Sequence, residues 1–277
     1  MIRSFRVELS LLRRWPALWA LLALWAVLAL VYGYGSQYLA YLSPNEGVTA
    51  AQLRAALAAM LPSGLVEKEM PGYPLFGGVI ALALGALTAG SEFGWGTWTT
   101  ILIQDPDRVR VGVGKLGALF VAVAGQVLVG FGAAGMASVV IAVLQKQPID
   151  APALGVLLSG MGAAWLILVM WAALGVVLAT LLRSTALPLG IGFAYLLIEM
   201  LMTSFADRSN LIASLARALP ATDAGSLAAS ILPSGYASSA PGMNALVSGP
   251  AAAAVLVLYV LATSALTCAV LAWRDVR

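Results

Sequence analysis

Residues 91–115, SEFGWGTWTTILIQDPDRVRVGVGK, decide how this chain is read. They form the long polar insertion between two apolar runs, one covering about 73–91 and the other about 116–144. Glu92 stands at the end of the first run and Lys115 at the start of the second, with Asp105, Asp107, Arg108 and Arg110 between them. Apolar runs of about 20 residues are the length of a helix that crosses a bilayer. A connection that carries charges of both signs, and whose Asp105-Pro106 ends one piece and opens another, reads as structured turn and helix rather than tether.

Composition supports a membrane reading of the whole chain. Of 277 residues, 61% are hydrophobic and 10% charged, and the mean hydropathy is +0.95. A water-soluble domain carries about a quarter charged residues. The apolar runs are continuous rather than alternating, which favours helices over a barrel. The expected fold is therefore all-α: a polytopic transmembrane helical bundle of six spans forming a single transmembrane domain over 1–277. The single cysteine, Cys268, excludes an internal disulfide, and with no histidine present the usual zinc ligands and the Ser-His dyad are missing.

Working outward, residues 2–15 place Ile2, Phe5, Leu9 and Leu12 at helical spacing, with Arg3, Arg6, Ser10 and Arg13 on the opposite arc. Such a helix lies in the membrane interface. A signal peptide is the alternative, disfavoured because the following run is long, begins at Trp15-Pro16 and lacks a small-residue cleavage site. The spans are expected at about 16–35, 73–91, 116–144, 153–182, 186–206 and 250–273. Tyr32, Tyr34, Tyr38 and Tyr41 oppose Trp15 and Trp19 across the first of them, as rings do at the two headgroup levels. The loop 42–72 contains a short helix that Thr49 caps and that Pro62 and Gly64 end. The segment 207–249, broken by Pro220, Pro233, Gly235 and Pro241, is too polar to span. Its pieces LIASLARAL and AGSLAASIL are short helices at the membrane surface or dipping into it, and a re-entrant piece must be shielded by protein.

Six spans put both termini on one side. That side holds Arg3, Arg6, Arg13, Arg14, Arg108, Arg110, Lys115, Arg183, Arg274 and Arg277; the other holds Arg54, Lys68, Lys146, Arg208 and Arg217. The bias predicts cytoplasmic termini and a cytoplasmic 92–115 segment, with 42–72 and 207–249 facing outward. Dispersed over several inner loops, these charges are a topology signal rather than a nucleic-acid footprint.

Little in the chain points to catalysis. Gly112, Gly114 and Gly117 match G-x-G-x-x-G, but they lead into a span and follow no strand, so the dinucleotide reading lacks its context. Gly114-Lys115-Leu116 fails as a phosphate loop for want of a preceding glycine and a following Ser or Thr. All six aspartates fall in loops, leaving no intramembrane aspartate pair. Glu199 is the acidic residue near the middle of a span and so a functional candidate. A structural hydrogen bond to a neighbouring helix is preferred for it, because a proton relay needs a chain of such groups. Gln126 in the third span reads as interhelical glue before substrate contact. The chain is not expected to be an enzyme by itself, nor to hold a cofactor or metal.

The run Glu92, Gly96-Thr97, Leu102, Asp105-Pro106, Arg108 and Gly114-Lys115 resembles the motif between the second and third spans in the membrane subunits of type-two ABC exporters. The layout agrees: a basic amphipathic elbow helix with Arg3, Arg6, Arg13 and Arg14, six spans, and a long outer segment between the fifth and sixth. The resemblance implies a coupling helix that sits on a separate nucleotide-binding ATPase subunit, which holds the ATP and magnesium. It places Glu92, Gly96, Thr97, Asp105, Arg108 and Lys115 at or beside that contact. It also implies a second copy of this chain or a related permease as partner, the cytoplasmic membrane of a prokaryote as location, and a hydrophobic or amphipathic cargo such as a peptide antibiotic or lipid. The rival readings are a proton-coupled secondary transporter using Glu199 and a noncatalytic membrane anchor subunit.

Overall fold

The computed structural model describes residues 2–45, 47–94, 107–205, 210–233 and 242–273, and the regular structure within them is helical, with no strand among the described residues. In chain order the helices are α1 (Ile2–Arg14), α2 (Pro16–Leu42), α3 (Ala50–Met60), α4 (Pro62–Phe93), α5 (Arg108–Leu144), α6 (Leu154–Leu182), α7 (Ala186–Thr203), α8 (Asn210–Ala216), α9 (Pro220–Ile231) and α10 (Gly249–Trp273). Six of them, α2, α4, α5, α6, α7 and α10, are long and apolar enough to cross a membrane. By length and composition the chain is a multi-pass membrane protein.

The helices run past the apolar stretches that announce them. The helix of the first span continues to Leu42, that of the second begins at Pro62, and that of the third begins at Arg108. Once a helix is nucleated, each added residue closes one more backbone bond, so the rod can run on through a polar flank. α2 and α4 are not uniform. Ala29–Gly35 and Tyr73–Gly77 widen to π geometry, the latter around Pro74, whose missing N–H breaks the regular ladder. As expected, Thr49 caps α3: its hydroxyl accepts the Gln52 N–H at 3.3 Å while the Gln52 side chain accepts the Thr49 N–H at 2.8 Å.

α6 is the centre of the bundle. Its sequence contains no ionisable residue and is apolar on every face, the composition of a helix that is enclosed by other helices. α4, α5, α7, α9 and α10 all pack on it. The tightest crossing is with α4, where a Cβ on Gly85 would collide with the Ala172 carbonyl and one on Gly175 with the Leu82 carbonyl. The two backbones therefore touch directly, and Trp171, fully buried, closes over Gly78 one turn away.

Of the two short helices expected in the polar 207–249 segment, α8 exposes Leu211 and Leu215 whereas α9 does not lie on the surface. α9 is enclosed by α6, α7, α10 and the 70–77 part of α4, with Thr222, Asp223, Ala224 and Ala228 at 0% exposure. It thus has the protein shielding that a non-spanning helix requires in an apolar medium.

Gly85→Ala and Gly175→Ala are each expected to destabilise the bundle by about 1–3 kcal/mol, the range for overpacking a tight contact. Gly162→Ala, with open space at its Cβ, should stay within about 0.5 kcal/mol of wild type. Thermal unfolding of the purified chain in one detergent compares the three.

A buried charge triad as candidate functional site

α1 is amphipathic in a way its arginines conceal. Arg6, Arg13 and Arg14 are exposed, whereas Glu8 and Leu12 are buried and Phe5 and Leu9 half-buried on the opposite face. A carboxylate therefore stands in the middle of the packing face. Trp19 Nε1 donates to the Arg13 carbonyl at 2.9 Å and fixes the corner between α1 and α2.

That face docks on the first turns of α5. A Cβ on Gly114 would sit 3.0 Å from Ser4 Cβ and 3.1 Å from the Phe5 nitrogen, and one on Gly117 would sit 3.2 Å from the Phe5 ring. Gly112 faces the other way, toward Leu271 and Cys268 on α10. The three glycines of the G-x-G-x-x-G match are thus packing positions where helices approach closely.

Between Gly114 and Gly117, Lys115 turns inward and is 4% exposed. Its ammonium donates to Glu8 Oε2 at 3.0 Å and to Glu92 Oε1 at 2.5 Å. One cation therefore joins three elements: α1 through Glu8, the end of α4 through Glu92, and the start of α5. With little water available to any of the three, each charge depends on the others. Glu92 and Lys115 were the ends of the polar insertion in the sequence; the structure brings them together. Glu8 was missed, because the arginine-rich arc of α1 draws attention from the one acidic residue opposite it.

The remaining candidates divide. Arg108 is the first residue of α5, half-exposed. Asp107 caps that helix, accepting the Arg110 N–H at 3.0 Å and pairing with the Arg110 guanidinium at 3.3 Å. Gly96, Thr97 and Asp105 lie outside the described residues, as does the side chain of Arg3. Gln126 is fully buried and donates to the Gly77 carbonyl at 3.2 Å, tying α5 to the π-widened part of α4. Glu199 accepts the N–H groups of Ala221 and Thr222 at 3.2 and 2.6 Å and so caps α9 from a neighbouring helix.

Two further buried carboxylates were not among the sequence candidates. Glu69, counted with the outer loop from sequence, belongs to the continuous helix α4, and its Oε1 converges with Trp25 Nε1 and Tyr73 Oη on Gly130 of α5. Trp25 and Tyr73 meet edge to face at 5.2 Å. Asp223 is enclosed on α9 beside Glu199. Among the described residues no group of three or more His, Cys, Asp or Glu is placed to hold a metal ion.

No model of a known protein family matches this sequence, and no curated protein matches it.

Lys115→Met should leave Glu8 and Glu92 without their shared cation and cost about 3–5 kcal/mol, the penalty of breaking a buried ion pair by removing one partner. The triple change Glu8→Gln, Glu92→Gln, Lys115→Met removes all three charges and should recover most of that loss. Thermal midpoints of wild type, single and triple variants make the comparison.

Proposed function

We propose that this chain is the membrane-spanning subunit of an ATP-driven exporter of the type-two ABC class. In this reading α1 is the elbow helix, the termini and the 92–115 segment are cytoplasmic, and that segment rests on a separate ATPase subunit that binds ATP and magnesium. Two copies of the chain, or this chain and a related one, enclose the pathway between them, and closure of the ATPase subunits switches it between inward and outward access. The location is the cytoplasmic membrane of a prokaryote. The cargo is hydrophobic or amphipathic, because the spans offer few fixed charges with which to hold an ion or sugar.

The observation that carries this reading is the Lys115 junction. The two ends of the motif-bearing segment, Glu92 and Lys115, meet at 2.5 Å, and Glu8 of α1 binds the same ammonium. A push on the segment is therefore delivered to α1, α4 and α5 together, as an element that converts closure of a soluble partner into movement of spans requires. The proton-driven alternative has less behind it: Glu199 holds two backbone N–H groups of α9, which gives that carboxyl a structural task.

Co-purification with the candidate ATPase subunit tests the reading. Asp105→Ala combined with Arg108→Ala should abolish the complex, or leave ATP hydrolysis that no longer drives transport. A double variant that transports normally while Glu199→Gln abolishes transport would make the proton-driven carrier the better account.

A further inference from the structure

Asp223 sits one turn into α9, at 0% exposure, and neither of its carboxyl oxygens meets a hydrogen-bond donor. A buried carboxylate without donors or a counter-ion is too costly to persist and must be neutralised. Among the described residues the surroundings supply no cation. α6 has no ionisable residue, α7 contributes Tyr195 and Glu199, and α10 contributes Tyr259 and Cys268. The 70–77 part of α4 adds Tyr73, preceded by Glu69 and Lys68, and the Lys68 ammonium donates instead to Gln37. Arg217, between α8 and α9, is exposed. The charge felt at Asp223 is the negative one of Glu199.

The two carboxyls differ in what they are given. Glu199 receives two N–H groups from the first turn of α9, donors that favour a carboxylate, and Tyr259 uses its hydroxyl elsewhere, donating to the Ala218 carbonyl at 2.8 Å. Asp223 receives none. When two acids share a site under unequal donors, the proton goes to the one without them.

We propose that Asp223 is a proton-binding site, and that the proton it holds is what lets α9 seat beneath α7 against the charged cap provided by Glu199. Loss of that proton places two negative charges in one enclosure and drives α9 out of its seat. The seat is the place where the outer segment meets α4, α6, α7 and α10, so the site makes the docking of that segment depend on pH. It stands independently of which energy source drives the chain.

Burial, reinforced by the Glu199 charge, pushes the Asp223 carboxyl up to about 7, against about 3.9 in an unfolded chain. Between those values the unfolded chain gives up a proton that the folded chain keeps, so stability falls as pH rises, by up to about tenfold in the folding constant per pH unit, and levels off above 7. Thermal unfolding of the purified chain in detergent from pH 4 to 9 reads this descent. Asp223→Asn, a neutral isostere, should remove the part of it that Asp223 contributes and leave the variant more stable than wild type at pH 8. An unchanged descent in Asp223→Asn overturns the proposal. So does full recovery of wild-type stability at pH 8 by sodium or potassium chloride with choline chloride inactive, which would make it a metal-cation site. If Asp223→Asn does not fold, hydrogen exchange of the wild type decides. After correction for intrinsic rates, the α9 amides should open at least tenfold more at pH 8 than at pH 6 while those of α6 do not change, and equal behaviour of the two helices overturns the site.

Discussion

Direct contact between the backbones of α4 and α6 is the constraint on which the rest of the bundle depends. In an apolar solvent a helix gains nothing by hiding an apolar side chain, so two helices associate through dispersion contacts and close approach rather than through the hydrophobic effect. Gly85 and Gly175 face the carbonyls of Ala172 and Leu82, which brings the two axes as near as backbones allow. α6 then has its other faces free for α5, α7, α9 and α10. Small residues on one seam thereby settle where five helices go.

A second constraint is the treatment of polar groups where water is scarce. Several of the interior polar groups are tied to a different helix from their own. Gln126 of α5 reaches Gly77 of α4, Glu199 of α7 caps α9, and Lys115 of α5 gathers Glu8 of α1 and Glu92 of α4. At the opposite end, Gln145 of α5 donates to the Tyr38 hydroxyl of α2 at 2.9 Å. These links add little net stability over apolar packing of the same volume. Their geometry is directional, and so they set which face of each helix meets which neighbour, something that rows of Leu, Val and Ala cannot do.

This division explains what could be read from sequence. The six apolar runs, the amphipathic α1, and the Thr49 cap with the stop before Pro62 depend on local pattern, and the helices are found there; Gly64, expected to share in that stop, lies inside α4. The ends of the long helices were not legible, because hydropathy marks an apolar run and not the length of the rod around it; Glu69 and Arg108 were placed outside the spans for that reason. Glu8 was invisible because its partner is 107 residues away. The glycines at 112, 114 and 117 show the reverse difficulty. Their spacing suggested a nucleotide motif, and their use is to let α1 and α10 come close to α5 on two different faces. For α9, composition excluded a span and shielding by protein was foreseen as a requirement, yet which helices shield it follows only from tertiary contacts.

The length of α5 connects these constraints to movement. Its 37 residues make a rod of about 55 Å, against an apolar bilayer core of about 30 Å. A rod that long must extend beyond the core, and its first turns carry Arg108, Arg110 and the Lys115 junction. Because α1 is clasped to those turns by Glu8 and by glycine contacts at 114 and 117, the projecting end does not bend alone. A displacement applied there moves α1 with it and pulls on Glu92 at the end of α4, the helix whose backbone rests on α6. The first turns of α5 are thus joined by direct contacts to α1 and to the end of α4, and through α4 to the centre of the bundle. The π-widened parts of α2 and α4, at Ala29–Gly35 and Tyr73–Gly77, lie toward the far end of those helices from the clasp, where altered backbone bonding gives the rods a place to yield.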